Sequence, residues 1–300
     1  MREGAIREGL PDLRHDSEFW RRALRFGATR GPTPFVRYSP PVFGVLSAAL
    51  LPSARRALLS ELERVGADPG PLGAFGVFAS YASALTEAFS AASGRNDKLA
   101  GEIVGDDHYR AAREEGRGVI VATAHTSGWY AAGPLLASVY HDEVLVVMRK
   151  ERDPRAERVQ AEARARLGLR VVVLGDDPLA AVPLLAHLRR GGVVALQADR
   201  VPEGQRAVAA TARIGAEEVP FAIPEGPLAL AGLAGAPIVV VLGKREGFRQ
   251  YRVQVSEPVR LARRPSGAEL RAAADRVATT LVRFIRENPR DWFHFSGARS

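Results

Sequence analysis

The chain has 300 residues, no cysteine, 42 basic and 34 acidic residues, and a formal charge of +8. Its 46% apolar and 25% charged content is that of an ordinary globular protein, which excludes a disordered, collagen-like or disulfide-stapled chain. The absence of cysteine also removes zinc–thiolate sites, iron–sulfur clusters and thiol nucleophiles.

Residues 1–25 carry charges throughout and contain no apolar core of a signal peptide. Ten arginines and five acids fall in residues 1–60. Such a basic, partly apolar front end suits an anionic membrane surface or nucleic acid, and it equally suits a solvated surface in an arginine-rich chain. Ser17 to Gly27 places Phe19, Trp20, Leu24 and Phe26 at helical spacing. Tyr38 to Leu51 is apolar but interrupted by Pro40 and Pro41, and reads as a short helix at an interface. The smooth apolar stretch from Pro40 to Pro52, about a dozen residues, is too short to span a bilayer, so no transmembrane helix is expected. A helix opens at Pro52-Ser53 with Leu58, Leu59 and Leu62 on one side, and a longer one runs from Leu72 to Ala92. No segment before residue 118 reads as a strand.

After Gly116 the rhythm changes. Apolar runs at 118–123, 144–148, 170–174, 193–197, 238–242 and 251–255 read as strands. Amphipathic segments at 129–139, 154–167, 179–189 and 266–287 read as helices. The strands are unbroken Val/Ile/Leu runs, the pattern of strands covered on both faces. Their alternation with helices predicts a mixed, mostly parallel α/β sheet flanked by helices, with an N-terminal helical lobe. The division is expected at 1–117 and 118–300. Val201 to Pro220 reads as a long irregular loop, of the kind that is functional or mobile.

Sites in such folds lie beyond the carboxyl ends of the strands. His125 stands there, in Ala124-His-Thr-Ser-Gly-Trp-Tyr130. A histidine so placed can take a proton from a hydroxyl, or can simply cap the strand. Arg149, Lys150 and Arg152 follow the second strand and can hold a phosphate or carboxylate, or be a solvated helix entry. Asp199 follows the fourth and can orient Arg200 or a ligand hydroxyl, or form a structural ion pair. No dinucleotide fingerprint, P-loop or nucleophile elbow is present, and the remaining histidines lack metal-ligand spacing. Phe19, Trp20 and Phe26 have helix-core spacing rather than that of a base-stacking platform, so nucleic-acid binding is not expected.

Taken in order, these pieces resemble the bacterial lysophospholipid and lipid A late acyltransferases. The likeness rests on Val119 to Trp129, Arg149 with Pro154 beyond it, and Arg166-Leu-Gly168. It continues through Leu188 to Arg200, Pro224 to Val241, and Asn288 to Phe295. The resemblance implies a glycerolipid acyltransferase-like core that moves a fatty acyl group from an acyl carrier protein or coenzyme A thioester to a lipid hydroxyl. No bound cofactor or metal is implied. It implies His125 as general base, Arg149 and Arg166 as anion-binding groups, and a front end on an anionic membrane. The expected location is thus peripheral, on the cytoplasmic face of the inner membrane, with an apolar acyl groove beside His125. Ser127, Gly128, Trp129, Tyr130 and Arg200 complete the expected substrate site, with the Ser127 and Gly128 amides or Arg149 facing the oxyanion. The family motif is His, four residues, then an acid, and here Tyr130 stands in place of the acid. A phenol carries no charge at neutral pH and stabilises an imidazolium far less than a carboxylate does. Three outcomes follow: another acid, Asp199 first, fills the role in space; the enzyme works slowly without one; or the chain has become a binder of lipid or acyl carrier.

Overall fold

The computed structural model describes residues 26–91, 99–129, 142–149, 170–174 and 181–295. Its centre is set by the unbroken apolar runs. β2 (Val119–Thr123) is buried at every position. Ile120 and Ala122 enter one apolar cluster, and Val119 and Val121 enter the cluster on the opposite face. A strand that alternates between two cores must be apolar at every residue.

Around β2 stand β1 (Ala100–Val104), β3 (Val144–Arg149), β4 (Arg170–Leu174), β5 (Val193–Gln197), β8 (Ile238–Gly247) and β9 (Gln250–Val255). Among the described residues they form one seven-stranded sheet in the order β1-β9-β8-β2-β5-β3-β4. Neighbours are parallel except β8 and β9, which form an antiparallel hairpin. This is the mixed, mostly parallel sheet expected from the sequence.

Helix α4 (Asp106–Glu114) contributes Tyr109 and Ala112 to one face of the sheet. The long α7 (Gly267–Glu287) covers the other with Ala274, Val277, Leu281 and Ile285. Ser266 and Glu269 close its start as a reciprocal capping box. α5 (Val182–Arg189) and α6 (Glu225–Ala234) complete that layer.

Before the sheet lie α1 (Thr33–Leu50), α2 (Pro52–Arg64) and α3 (Gly73–Ala91). α1 is longer than its prolines suggest, since it runs through Pro40 and Pro41. Proline normally costs a helix one amide and a clash. Here Val36, Pro40, Gly44 and Ala48 form a buried stripe, and α1 packs along α3. At Gly44 a β-carbon would lie 2.4 Å from the Phe78 carbonyl oxygen, so the backbones meet directly.

Two expectations are corrected. β1 lies before residue 118, where no strand was expected, and pairs with β9. Its sequence, Ala-Gly-Glu-Ile-Val, belongs to an exposed edge strand and lacks a long apolar run. Residues 201–220 are not an irregular loop throughout. β6 (Ala207–Ile214) and β7 (Glu217–Pro224) form an antiparallel hairpin whose register is complete from Ala207–Pro224 to Ile214–Glu217. Gly215, at a φ of 60°, opens its two-residue turn as such hairpins require. The hairpin packs against α7, and Asp275 accepts the Thr211 amide at 2.7 Å. The helix expected at 129–139, beyond Trp129, and the one expected at 154–167 lie outside the described residues, as does most of 17–27.

Candidate active site

The register of the two central strands decides what meets at their ends. β2 and β5 are parallel, with Thr123 opposite Gln197. The pairing continues one step, as the Ala198 amide donates to the Thr123 carbonyl at 2.7 Å. His125 and Asp199 are thus each two residues beyond matched positions. His125 Nδ1 lies 2.9 Å from Asp199 Oδ1, and the His125 amide donates to Oδ2 at 3.2 Å. The His125 ring is about one-third exposed, while the Asp199 side chain is fully buried.

A buried carboxylate is ordinarily driven towards its neutral form. Burial here does push Asp199 up, but His125, Arg200 and Trp292 outweigh it and hold the group below the usual carboxylate range. The Trp292 indole N–H donates to Oδ2 at 2.9 Å. With Asp199 as acceptor, the hydrogen on the imidazole belongs on Nδ1, which leaves Nε2 as the free basic nitrogen.

The loop carrying His125 is strapped down by the segment after α7. The Ser127 amide donates to the Asp291 carbonyl at 3.0 Å, and its hydroxyl donates to the Asp291 carboxylate. Thr126 bridges Trp292, and the Phe293 amide donates to the His125 carbonyl at 2.7 Å. Arg200, partly buried, donates to the Phe293 carbonyl. Asp291 also accepts the Arg245 amide at 3.1 Å, and burial pushes its carboxyl up. An aromatic group of Phe78 and Tyr81 on α3 with Phe293 and Phe295 anchors the strap.

Gly128 is a packing residue in this arrangement. Its amide donates to the Gly243 carbonyl at 3.0 Å, and a β-carbon on it would sit 2.3 Å from Gly243 Cα. The Ser127 and Gly128 amides are both engaged within the fold. The amides of Thr126 and Trp129 are likewise engaged, with Ala124 and Thr126 carbonyls. Trp129 is partly buried at the end of this loop.

Arg149 closes β3, two strands from β2 on the same sheet edge, and its side chain lies outside the described part. Tyr130 and Arg166 also lie outside the described residues. A cavity of about 710 Å³ opens between α7 and the β8–β9 edge, lined by Val240, Leu242, Arg276 and Arg283 among others, and includes neither His125 nor Asp199.

Sequence reasoning brought His125 and Asp199 forward and missed the part played by the strap. Asp291 and Trp292 are 164 and 93 residues from their partners Ser127 and Asp199. The available signal was an acid and a tryptophan within an aromatic run just after a helix ends.

Fold and junction together define an α/β protein whose polar groups gather beyond the carboxyl ends of a mostly parallel sheet. The chain belongs to the bacterial lipid A biosynthesis acyltransferase family, whose pattern matches residues 76–297. That span runs from α3 through the strap and includes His125, Asp199 and Trp292. Among curated proteins no match is found. Membership makes the chain an acyltransferase family member and implies acyl transfer from an acyl donor to a lipid acceptor.

Proposed function

We propose that the protein transfers a fatty acyl group from an acyl carrier protein or coenzyme A thioester to a hydroxyl of a lipid or lipid-like acceptor, with His125 as general base. The observation that carries this reading is the His125–Asp199 pair at adjacent strand ends. His125 Nε2 takes the hydroxyl proton as the oxygen attacks the thioester carbonyl. Asp199 holds the imidazole and stabilises the imidazolium, as the acid of a catalytic triad does. The tetrahedral intermediate collapses, the carbon–sulfur bond breaks, and the imidazolium returns the proton to the thiolate. Arg149, Arg166 and Arg200 meet anionic groups of donor or acceptor, and Trp129 and Tyr130 line the acceptor side. With the 125–129 amides engaged, Arg149 is the remaining candidate to face the oxyanion.

Asp199 also bears on the replacement at position 130. The reading as an inactive binder rests on an imidazole without a carboxylate, and Asp199 supplies one. Nδ1 carries one hydrogen and donates it to one acceptor. Tyr130→Glu is therefore expected to leave turnover unraised.

The membrane side of the reading rests on α1. Phe35, Tyr38, Val42, Phe43, Leu46 and Leu50 are all exposed there, an apolar face far larger than isolated surface residues make. Arg30 and Arg37 stand over the rings of Phe26 and Tyr38 beside it. Among the described residues no single helix is long and apolar enough to cross a membrane; α1 and α2 would suffice together but bend by 97°. We take the face as one that lies on an anionic bilayer, peripherally and on its cytoplasmic side.

The test is acyl transfer by the purified protein, offering acyl carrier protein and coenzyme A thioesters with lysolipids, lipid A precursors and simple alcohols. Products are read by mass spectrometry, with His125→Ala in parallel. Product that disappears in the variant is the expected result. Undiminished product in the variant removes His125 from the mechanism.

A further inference from the structure

We propose that Trp292 is a positioning residue of the His125–Asp199 pair, its indole N–H reserving Asp199 Oδ2 so that the pair's proton is confined to the Oδ1–Nδ1 contact. The inference rests on the reading of His125 as the base and adds a residue to it.

The argument is one of hydrogen counting. An indole nitrogen has one hydrogen and accepts none, and a backbone amide is the same. Both point at Asp199 Oδ2, the indole from 2.9 Å and the His125 amide from 3.2 Å. Oδ2 therefore receives two hydrogens and has no place for one of its own. The remaining oxygen, Oδ1, faces Nδ1 at 2.9 Å. One proton lies between these atoms, and the neutral ring is left with a bare Nε2. Trp292 is itself fully buried, so water does not compete for the indole. Its backbone is fixed by the bridge to Thr126 in the same loop as His125.

Without the indole, Oδ2 loses its shorter N–H donor and keeps the longer amide contact. The carboxylate becomes a stronger base, and the proton it shares with His125 is held more tightly. Other charged and titratable groups surround the pair: Arg200 beside Asp199, Glu61 on α2, His294 on the strap, and Tyr81 on α3, which acts on Arg200.

Two measurements test this. In Trp292→Phe, which keeps an aromatic ring in place and removes the N–H, Asp199 loses the donor that fixes its orientation towards His125, and kcat is expected to fall on the order of tenfold with KM little changed. The acid limb of the kcat/KM profile is expected to move to higher pH by about one unit, a shift that lost packing alone does not produce. The second measurement needs no substrate. Nitrogen-15 NMR of the full chain is expected to give three indole N–H signals, one from each of Trp20, Trp129 and Trp292. Trp20→Phe and Trp129→Phe assign the third. Its shift is expected to follow the titration of the His125 ring and to lose that dependence in His125→Ala. An indole signal indifferent to that titration overturns the proposal, and so does a folded Trp292→Phe with normal kcat and an unmoved acid limb. If Trp292→Phe does not fold, the NMR result decides alone. Absent acyl transfer would instead count against the enzymatic reading and leave the NMR result standing.

Discussion

Asp199 Oδ1 lies 2.9 Å from His125 Nδ1 although 74 residues of chain separate them. Strand register explains the meeting, because each residue stands two positions past paired ends of β2 and β5. The geometry also says what the closest isostere should do. In Asp199→Asn the amide oxygen takes the site that accepts from Trp292 and the His125 amide. The NH2 group then faces Nδ1, which must accept, and the hydrogen moves to Nε2. That is the wrong tautomer for a base, and a comparable change in a serine protease triad costs about 10⁴ in kcat. Asp199→Asn is expected to lower kcat by about 10²–10⁴ with KM within a few-fold, measured by steady-state acyl transfer.

A second carboxylate, Glu61 on α2, links the N-terminal helices to the strap. It accepts from Arg64 at 2.7 and 2.9 Å, and His294 Nδ1 lies 3.5 Å away. His294 and Arg64 outweigh the cost of burial and hold Glu61 at about 2, below its ordinary 4.5. The native state therefore binds its proton less readily than the unfolded chain does. The resulting stabilisation is complete above pH 4.5 and is lost as pH falls towards 2. The His294 contact is long and Arg64 is partly exposed, so its worth is about 1–3 kcal/mol. Glu61→Gln is expected to be less stable than the parent by about that amount at pH 7, with the gap closing between pH 4.5 and 2. Urea denaturation across that range checks it; a gap independent of pH would contradict the assignment.

Much of the core was legible in the sequence because its strands are buried on both faces and so leave unbroken apolar runs. β1 was not legible, since an exposed edge strand reading Ala-Gly-Glu-Ile-Val has no such run. The β6–β7 hairpin was obscured for another reason. Ala-Val-Ala-Ala-Thr-Ala-Arg-Ile alternates only weakly in hydropathy, and Pro220 interrupts its partner. At the site, position beyond a strand end brought His125 and Asp199 forward as candidates, and the family resemblance, not the position, supplied the role of base for His125. What holds them was not, because Trp292 and Asp291 arrive from the far end of the chain by tertiary packing and leave no local spacing to read.

Gly128 and Gly243 give a prediction about packing near the site. Each lies where a β-carbon would enter the other's backbone, at 2.3 Å from Gly243 Cα in one direction and 2.7 Å from Gly128 Cα in the other. Backbone cannot move aside as a flexible side chain does. Gly128→Ala should therefore push the 125–129 loop away from β8 and break the Gly128–Gly243 hydrogen bond. The expected cost is about 1–3 kcal/mol of stability, with kcat reduced because His125 shifts relative to Asp199. Thermal denaturation and acyl transfer on one preparation check both parts. Full stability in Gly128→Ala would mean that the two backbones separate without cost.

The exposed face of α1 yields the last prediction, because it separates membrane docking from folding. Phe43, Leu46 and Leu50 are 57%, 52% and 79% exposed, so they contribute little to the core. Replacing all three with glutamine should leave the melting temperature within a degree or two, as surface changes usually do. If the face lies on a bilayer, the same change removes apolar area that would otherwise leave water on binding. Sedimentation with vesicles containing anionic phospholipid is then expected to show at least tenfold weaker binding for the triple variant. The parent should bind neutral vesicles less well than anionic ones, because Arg30 and Arg37 flank the face and basic groups near a surface add attraction to anionic lipid. Transfer to a short-chain, water-soluble acceptor should survive in the triple variant, since the three side chains are exposed on α1 and take no part in the hydrogen bonds of the His125–Asp199 pair. Loss of that activity with unchanged vesicle binding would place the α1 face in the catalytic unit and not on the membrane.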